Sequence, residues 1–400
     1  MIDVTHVITR MIVGGAQENT LFSVRGLAAI PRYRVSLVTG PETGSEGDLL
    51  EGREQGLDIV RVPHLVRSIH PASDAMALAS LYNLFRRTRP SIVHTHSSKA
   101  GVLGRMAARA AGVPVVVHTL HSLVFHDYQH PAVRYTYRTI KRMMSPLTDH
   151  YVSVSDDIRE RAIAARIGTP DRHSTVRSGF PTEDFINTLV DRSDARTRLG
   201  LPQDRVIVGV VARFFPLKGH EEIFEAARKL IPHHPDVLFA FAGSGPLLEE
   251  FRTRFADAGL TNNVHFLGRI PPEEIAVAFS SFDVMAHASL REGLARVIPQ
   301  AVLAGLPVVC YDLDGSREVV HHGVNGFLVP PRDTDALADR LAAVVGDPGL
   351  RQRMGGQRRD VVLKEFSVEE MVRGLDELYL TLLERIPDSR FRRRRPGVLA

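Results

Sequence analysis

The sequence predicts an α/β protein made of two doubly wound domains. Short apolar runs, typical of strands, alternate with longer amphipathic stretches, typical of helices, along almost all of the 400 residues. The strand runs are continuously apolar, which indicates parallel sheets covered by helices on both faces. The alternation lapses once, between 179 and 203, and then restarts. We therefore expect a separate sheet on each side of that break.

In the first half, runs rich in Val, Ile and Leu predict strands, and turn residues or helix caps separate them from the helices. Gly14-Gly15 opens the first helix, prolines stand at the first positions of two others, and Ser155 is the expected cap of the last. The predicted strands are 5–9, 34–39, 58–62, 92–96, 113–119 and 151–155. The predicted helices are 16–29, 71–87, 99–111, 131–144 and 156–166.

The second half repeats the rhythm, with Gly219 opening a helix and Gly305 ending one. Its predicted strands are 206–212, 237–242, 264–267, 284–286, 307–311 and 326–329. Its predicted helices are 221–230, 246–258, 272–279, 294–304, 333–345 and 367–383. The domain prediction is an N-terminal domain over 1–185, a linker over 186–204, a C-terminal domain over 205–365, a last helix over 366–386 and a basic tail over 387–400.

Composition excludes several classes of protein. Hydrophobic residues make up 44% and charged residues 24% of the chain, as in a soluble globular protein. No apolar run reaches the ~18 residues of a membrane span, and the N-terminus reads as a first strand rather than a signal peptide. The one cysteine lies in an apolar run, so we expect a reducing cytoplasm. Net charge is +4, and without stacking aromatics or zinc fingers we expect no nucleic-acid partner.

Ligands of doubly wound sheets bind beyond the carboxyl ends of the strands, so the loops after the strands hold the candidate residues. Gly14 and Gly15 follow the first strand, where backbone N–H groups at a helix start suit a phosphate; a plain tight turn is the alternative. Arg213 and Lys218 follow the strand at 206 and form a candidate anion site, against the alternative of a solvated loop. Gly243 and Gly245 follow the strand at 237 and allow close approach of a ligand to the backbone.

Four histidines follow or lie within two neighbouring strands. His94 and His118 lie within strands and are expected in the core, whereas His96 and His121 lie at strand ends and are expected to reach a cleft. Together they raise a zinc hypothesis, but no cysteine is near and the spacing is not that of a zinc helix. Asp312 and Asp314 imitate another metal motif. We expect no metal site at either place.

Glu292 lies in a short loop, and Gln300 stands eight residues later on the predicted helix. Eight residues of helix rise about 12 Å, so the two side chains are expected to address opposite ends of one ligand. The alternative is a capping acid with an exposed amide.

In order along the chain, these loops resemble retaining glycosyltransferases of family 4, which have the GT-B fold of two Rossmann-like domains facing across a cleft. The resemblance covers nearly the whole chain. The motifs that carry it are Gly-Gly-Ala-Gln17, His-Thr-His96, Lys99-Ala-Gly, His-Thr-Leu-His121, Val-Ala-Arg213 to Lys218-Gly, Ala-Gly-Ser-Gly-Pro246, Phe-Leu-Gly268, Arg-Glu292-Gly-Leu, Ala-Gly-Leu-Pro-Val-Val309 and Asn325-Gly-Phe-Leu-Val-Pro330.

The resemblance implies a role for each candidate residue. Arg213 and Lys218 would neutralise the leaving diphosphate, and Glu292 would contact the transferred sugar. His121 would contact a sugar hydroxyl, and Gln300 the ribose. The remaining donor-binding residues that it implies are Gly14, Gly15, Gly243, Gly245, Arg269, Ile270, Gly293 and Leu294. It also implies a nucleotide-sugar co-substrate with no cofactor or metal, and a last helix that returns to the N-terminal domain. A UDP-sugar is favoured, and GDP- and ADP-sugars stay open as alternatives.

One departure from the family pattern concerns position 300. The family pairs two acids with seven residues between them, whereas this chain has Glu292 and Gln300. An amide can still hydrogen-bond a ribose diol, but it loses the charge-assisted bonds, which are about twice as strong. We expect activity to persist.

The expected acceptor is a glycan or a polyprenyl-linked glycan, in surface or exopolysaccharide synthesis. The helix at 131–144 mixes basic, aromatic and apolar residues, so peripheral contact with an anionic membrane is a further expectation, beside that of an ordinary core helix. The basic tail gives the same expectation, beside that of a solvated tail. Two functional alternatives stay open: a non-catalytic nucleotide-sugar-binding or glycan-binding relative, and a sugar-nucleotide epimerase. A nicotinamide dehydrogenase is disfavoured, because G-x-G-x-x-G with an acid downstream is missing.

Overall fold

The computed structural model describes residues 1–42 and 47–386, and the chain forms two compact units. Unit 1 comprises Met1–Phe180 and the chain from Val368 onward, and unit 2 comprises Pro181–Ser367. The predicted basic tail, 387–400, lies outside the described residues.

Unit 1 contains a parallel sheet of seven strands in the order β3-β2-β1-β4-β5-β6-β7. The strands are β1 Ile2–Val7, β2 Tyr33–Thr39, β3 Asp58–Arg61, β4 Ile92–Thr95, β5 Val115–Leu120, β6 His150–Ser153 and β7 His173–Thr175. The helices before unit 2 are α1 Gly15–Ala28, α2 Pro71–Thr88, α3 Ser98–Ala111, α4 Pro131–Met143 and α5 Asp156–Ala164. The strand order reverses between β1 and β4, which is where doubly wound sheets bind ligands.

Unit 2 contains a parallel sheet of six strands in the order β10-β9-β8-β11-β12-β13. The strands are β8 Val206–Val211, β9 Val237–Ala242, β10 Val264–Gly268, β11 Val284–His287, β12 Val308–Tyr311 and β13 Gly326–Val329. Its helices are α6 Thr182–Asn187, α7 Arg192–Leu199, α8 His220–Leu230, α9 Leu248–Asp257, α10 Ile275–Ser281, α11 Val297–Leu303, α12 Ser316–Val319, α13 Thr334–Gly346, α14 Pro348–Met354 and α15 Arg359–Glu365. Here the order reverses between β8 and β11, so the loops after these two strands are neighbours.

Both sheets are buried, as continuously apolar strands require. In unit 1 the apolar residues of the sheet form one core cluster with helix α1 and the last helix, α16 (Val368–Glu384), and another with α2 and α3. Each fully buried Val, Leu or Ile contributes roughly 1.5–3 kcal/mol relative to an exposed one, so this pattern fixes which face of each helix meets the sheet. The two doubly wound domains predicted from the sequence are confirmed.

The last helix, α16 Val368–Glu384, belongs to unit 1. Met371, Leu375 and Tyr379 lie in the same core as α1 and β2. A Cβ at Gly26 of α1 would lie 2.2 Å from Val372 Cγ2, so α1 and α16 approach as closely as a glycine allows. Tyr33 donates a 2.6 Å hydrogen bond to Asp376 at the edge of this contact. Helix α16 is therefore part of the N-terminal unit.

The linker predicted at 186–204 is wrong. This segment contains the end of α6 and all of α7, and both helices belong to unit 2. The buried Arg196 of α7 forms a 2.6 Å ion pair with Asp283 before β11, which ties the helix to the sheet. The helices are short and polar, and they carry too few apolar residues to show a helical period in the sequence.

The helix predicted at 294–304 begins later, at Val297. Pro299 lacks an N–H and is tolerated only in the first turn, so a helix starting at 294 would have placed it in the interior. Glu292 therefore lies in an extended loop before the helix. The 12 Å helical spacing argued for Glu292 and Gln300 does not apply. The short elements β7, α12, α14 and α15 had no prediction, because each is too short for a periodic signal.

Candidate functional site

The loops after β8 and β11 meet at the point where the strand order of unit 2 reverses. Leu290 N–H donates to the carbonyl of Leu217 at 2.9 Å, and the Ser289 hydroxyl oxygen lies 3.2 Å from the same carbonyl oxygen. Leu217 has φ +67, a strained value for a bulky residue that indicates a tightly determined loop. This contact places Lys218 beside Glu292.

Lys218 Nζ and Glu292 Oε1 form an ion pair at 2.5 Å, with about a quarter of each side chain exposed. Ser289 Oγ donates a second hydrogen bond to the same carboxylate oxygen at 3.0 Å. Burial raises the pKa of Glu292, but the charge of Lys218 and the hydrogen bonds from Lys218 and Ser289 outweigh it, so the pKa lies below its ordinary value. The carboxylate is thus held ionised.

Gly219 follows Lys218 and opens α8 with φ +84. A Cβ there would lie 2.3 Å from the carbonyl carbon of Ala288, so only glycine fits between the two loops. Burial lowers the pKa of His287, the last residue of β11, to about 4. His287 is therefore neutral and adds no charge beside Lys218 and Glu292.

Asp312 and Asp314, which imitate a metal motif, are both engaged by protein groups. Asp312 pairs with Arg317, with one contact at 2.6 Å. Asp314 Oδ2 accepts the backbone N–H of Glu292 at 2.5 Å, and Asp314 has the left-handed φ of +53. The second aspartate therefore fixes the Glu292 loop.

The glycines after β9 bring that loop against the loop after β8. A Cβ at Gly243 would lie 1.9 Å from the carbonyl oxygen of Ala212, and one at Gly245 would lie 2.4 Å from that of Phe214. Gly243 N–H donates to the carbonyl of Gly268 at 2.7 Å. The loop after β9 therefore lies between the loop of Arg213 and the end of β10, which precedes Arg269 and Ile270.

Arg213 lies in the first of these loops, with its guanidinium 5.1 Å from the centre of the Phe215 ring. Arg269 and Ile270 directly follow Gly268 at the end of β10. Gly243 therefore contacts both the loop of Arg213, at Ala212, and the end of β10, at Gly268, directly before Arg269 and Ile270.

The remaining candidates of unit 2 follow Glu292. The carbonyl of Gly293 accepts the N–H of Gly315 at 3.2 Å, and Leu294 is half-buried before α11. Gln300 is half-buried in α11, and no described residue hydrogen-bonds its side-chain amide. That amide is available to a ligand.

In unit 1, Gly14 precedes α1 with an extended backbone, and Gly15 is the first residue of the helix. A Cβ at Gly15 would meet nothing within 4 Å among the described residues, so the backbone is approachable at this position. The capping residue, Gly14, is a glycine and has no side chain to cap the helix, and Gln17 Oε1 would lie 2.9 Å from a Cβ there. This geometry suits the approach of an anionic group.

Near the β1–β4 reversal lies a continuous set of hydrogen bonds, which we call the histidine chain. His121 Nε2 lies 3.0 Å from His96 Nδ1, and His96 Nε2 lies 2.9 Å from His6 Nδ1. His6 Nε2 lies 3.4 Å from the hydroxyl of Tyr379, which lies 2.5 Å from His94 Nδ1. His94 Nε2 lies 2.6 Å from Thr119 Oγ1. The members of the chain are Thr119, His94, Tyr379, His6, His96 and His121.

The structure corrects the prediction for His96 and supports that for His94. His96 is 1% exposed and does not reach the surface, because the ring lies between His6, His94 and His121. His121 is half-buried at the end of the chain. His118 is in the core, as expected, but it bonds Thr95 and Lys141 and is not part of the chain.

Ring nitrogens of His6, His94 and His96 lie within 4.8 Å of one another, close enough for a common metal ion. The zinc hypothesis from the sequence included neither His6 nor this set of three. Every ring nitrogen of the three is within hydrogen-bond distance of another member of the histidine chain. Burial keeps the pKa of each well below its ordinary value, so the three rings are neutral. Hydrogen bonding therefore accounts for this cluster without a metal.

Helix α4 has an inverted distribution of polar and apolar residues. Within α4, all of which is described, only Lys141 is buried, and its ammonium lies 3.2 Å from His118 Nε2. Tyr135 and Met143 are 63% and 66% exposed, and Val133 is also exposed. Burial lowers the pKa of Lys141 to about 7. The helix directs the Lys141 amine inward and an apolar face outward. In the described part of the chain, no helix is long and apolar enough to cross a bilayer.

Sequence reasoning missed several residues that shape the sites. His6 and Tyr379 enter the histidine chain from distant parts of the sequence, and Ser289 and Asp314 hold Glu292. His6 lies in an apolar strand run and Tyr379 on an amphipathic helix, so neither carries a local signal. Ser289 stands at a strand end beside the acid, and that position was the one available signal.

Comparison with known proteins agrees with this architecture. The model of the glycosyl transferase 4-like domain matches residues 14–179, and that of the glycosyl transferases group 1 matches residues 191–361. Together the two models cover most of the chain.

Two relatives in sequence and one solved structure are similar to this chain over most of its length. An Escherichia coli UDP-Gal:alpha-D-GlcNAc-diphosphoundecaprenol alpha-1,3-galactosyltransferase is 29% identical, over 96% of this chain and 97% of that protein. The capsular polysaccharide biosynthesis glycosyltransferase CapM of Staphylococcus aureus is 24% identical, over 82% and 86%. Anabaena HepE, solved in complex with UDP and glucose, has a TM-score of 0.80 at 21% identity, over 95% and 100%. The chain therefore belongs to the group 1 glycosyltransferases of the family 4 type, with the GT-B fold.

Proposed function

We propose that the protein transfers a hexosyl or N-acetylhexosaminyl residue from a UDP-sugar to a lipid-linked glycan, with retention of configuration and without a metal ion. The observation that carries the donor half of this proposal is the Lys218–Glu292 pair. A cation and an ionised acid, 2.5 Å apart, stand where the strand order of a doubly wound sheet reverses. One can hold a diphosphate while the other faces the sugar attached to it.

The proposed chemistry uses the cations of unit 2. As the bond between sugar C1 and the β-phosphate oxygen breaks, negative charge develops on the diphosphate, and Arg213 and Lys218 stabilise it. The ammonium of Lys218 has three donors, so it can bind phosphate and still hold Glu292. The acceptor oxygen bonds to C1 on the face that the diphosphate leaves, and its proton passes to the leaving phosphate oxygen. Two cations thereby do the work of a metal.

Several observations support a lipid-linked acceptor. The name of the Escherichia coli relative states a diphosphoundecaprenol-linked acceptor, and the name of CapM states capsular polysaccharide biosynthesis. The outward apolar face of α4, with Arg134 and Arg138 on the same helix, suits the interface of an anionic membrane. We propose that this face contacts the membrane that carries the acceptor.

A non-catalytic binding relative is the second candidate, and the observation that favours it is the amide of Gln300, which stands where the family pattern has a second acid. The held and ionised Glu292 favours an enzyme, because a site that only binds does not need an acid beside the sugar. An epimerase would release a changed sugar without any acceptor, so a product assay without acceptor separates it from a transferase.

The donor half is tested by thermal shift of the wild-type protein with UDP-, GDP- and ADP-sugars, with and without EDTA. We expect stabilisation by the UDP-sugar alone, unchanged by EDTA and lost in Lys218→Ala. Lys229→Ala is the matched control, because Lys229 also pairs with a carboxylate, that of Asp335, at 2.6 Å on the same unit.

Transfer itself is tested with undecaprenyl-diphosphate-linked GlcNAc as acceptor, and NMR of the product reports the anomeric configuration. Stabilisation without product from this or other lipid-linked acceptors would favour the binding relative. No stabilisation by any nucleotide sugar would contradict the donor site, and stabilisation abolished by EDTA would contradict the metal-free mechanism.

A further inference from the structure

The two ends of the histidine chain differ in their exposure. Thr119 is 4% exposed, whereas His121 is half-buried. Burial keeps the pKa of every histidine in the chain below the ordinary value, so the rings are neutral. Burial also raises the pKa of Tyr379, so that group is a phenol. The chain therefore consists entirely of neutral groups.

A chain of neutral groups has only two consistent arrangements of its hydrogens. A neutral imidazole has one N–H donor and one acceptor nitrogen, and a tyrosine hydroxyl has one hydrogen. Tyr379 lies between His94 and His6, so it must donate to one and accept from the other. Because every internal member both donates and accepts, the direction of one bond sets the direction of all.

The buried end decides the direction. Among the described residues, His94 Nε2 is the one hydrogen-bond neighbour of the Thr119 hydroxyl. If that nitrogen carried the hydrogen, the threonine hydrogen would be left buried and unpaired, a substantial cost. Thr119 therefore donates to His94, and the hydrogen of His94 is on Nδ1.

The remaining bonds follow in order. His94 Nδ1–H donates to the oxygen of Tyr379, and Tyr379 O–H donates to His6 Nε2. His6 Nδ1–H donates to His96 Nε2, and His96 Nδ1–H donates to His121 Nε2. His121 is left with its hydrogen on Nδ1, and no described residue hydrogen-bonds that atom.

We propose that Thr119 and Tyr379 are positioning residues that hold His121 with its hydrogen on Nδ1, as a hydrogen-bond donor to the ligand. The tautomer follows from the hydrogen bonds of unit 1 alone, and only the identity of the ligand rests on the proposed function. In that function, His121 donates to a hydroxyl oxygen of the transferred sugar and does not act as a base. The C-terminal helix thereby acts on the site through a side chain that does not touch the substrate.

The tautomer is measured by long-range proton–nitrogen NMR on the metal-free wild-type protein labelled in its histidines, with signals assigned by single substitutions. We expect the hydrogen on Nδ1 in His6, His94, His96 and His121. His70 is an internal control, because its Nδ1 accepts the backbone N–H of Ser73 and its hydrogen must be on Nε2 when the ring is neutral.

Two nearly isosteric variants test the positioning residues. In Thr119→Val and in Tyr379→Phe, a buried group is left unpaired whichever way the hydrogen bonds of the histidine chain run. Neither direction is then strongly favoured, so most of the preference for hydrogen on Nδ1 of His121 is lost. We expect the ratio of the two tautomers of His121 to fall from about tenfold or more towards one. Thr119→Ser keeps the hydroxyl and should restore the wild-type ratio. Thr95→Val is the matched control, because Thr95 is a buried threonine that bonds His118, outside the chain.

Hydrogen on Nε2 of His121 in the wild type would overturn the proposal, as would an unchanged ratio in Tyr379→Phe. So would displacement of the His6, His94 and His96 signals by stoichiometric zinc, since a metal would replace the chain. In transfer assays we expect both variants to lower kcat and to leave the affinity for the nucleotide unchanged. If the wild-type protein has the expected tautomers but catalyses no transfer, the proposed function is contradicted and the inference about the tautomers still holds.

Discussion

Lys218 Nζ lies 2.5 Å from Glu292 Oε1, although 73 residues separate the two in the chain. The reversal of strand order between β8 and β11 makes their loops neighbours, and Gly219 lets the two backbones come into contact. A second acid, Asp314, holds the backbone of Glu292 from a third loop. The pair is therefore a product of topology, and it is where substitutions should have the clearest effects.

Glu292→Gln should remove most of the turnover while the protein stays folded. The substitution keeps the shape but removes the charge that Lys218 and Ser289 hold in place. We expect kcat to fall about 10²–10³-fold, comparable with the loss of one group that stabilises a transition state. Asp335→Asn removes the acid paired with exposed Lys229 and is the control. Equal kcat values in Glu292→Gln and Asp335→Asn would show that the charge of Glu292 does not contribute to the reaction.

Gln300→Glu should change nucleotide affinity more than turnover. The side-chain amide has no described partner, and a carboxylate there would form charge-assisted bonds to a ribose diol. We expect about fivefold tighter binding by calorimetry, with kcat within about twofold. Gln352→Glu, on α14, is the matched change on another helix of the same unit. A large fall in kcat at unchanged affinity would count against a ribose contact.

Gly219→Ala should disrupt the donor site more than its backbone angle alone predicts. Gly219 and Gly259 have φ +84 and +72, so alanine at either costs about 1–2 kcal/mol. At Gly219 the new Cβ would also meet the carbonyl group of Ala288, whereas at Gly259 nothing lies within 4 Å. We expect thermal stabilisation by UDP-sugar to survive Gly259→Ala and to disappear in Gly219→Ala. Equal behaviour of the two variants would contradict the contact.

The outward face of α4 should bind anionic membranes. Tyr135 and Met143 are the most exposed large hydrophobic residues of α4, and the helix also carries Arg134 and Arg138. We expect the double variant Tyr135→Ser, Met143→Ser to lose about tenfold in partition to anionic vesicles, measured by co-sedimentation. Val361→Ser, an exposed apolar residue of unit 2, should have no effect. If the wild-type protein binds zwitterionic and anionic vesicles equally, Arg134 and Arg138 do not contribute to membrane binding.

Acid should destabilise the protein through its buried histidines. Burial lowers the pKa of His6 from 6.5 to about 3, so below pH 6.5 the unfolded chain binds the proton that the folded chain excludes. The stability linked to such a ring is fully present above pH 6.5 and is lost as the pH falls towards about 3, at up to about 1.4 kcal/mol per pH unit. Urea unfolding at about pH 7 and about pH 5 measures this loss.

We expect His6→Gln to show a smaller loss between the two pH values than the wild type. The exposed His233→Gln is the control and should behave as the wild type. An unchanged pH dependence in His6→Gln would mean that the folded protein protonates this ring without penalty.

Much of the fold could be predicted because strand and helix periods are local. The continuous apolar runs at 206–211 and 308–311 indicate buried parallel strands wherever they occur. The two elements that were predicted wrongly, α7 and the start of α11, carry local patterns that periodicity does not detect. Helix α7 is too polar and short to show a period, and Pro299 delays the start of α11 in a way that periodicity does not register.

The candidate residues of the donor loops could also be found, because a strand end in a doubly wound sheet is a binding position regardless of its partner. Arg213, Lys218 and Glu292 were identified individually in this way. Their pairing could not be, since nothing near Lys218 in the chain indicates that Glu292 is its neighbour. His96 shows the opposite error, because a residue at a strand end is still buried when other rings surround it.

The sequence by itself determined the two doubly wound sheets and the glycine and charged residues at their strand ends, because these depend on local periodicity and turn chemistry. Only the tertiary structure decided which of these residues meet. It joined Lys218 to Glu292 through strand order, and His6 to Tyr379 through the return of the last helix to unit 1. The reason is that pairing across a fold depends on which strands are adjacent, and no local pattern of residues encodes that adjacency.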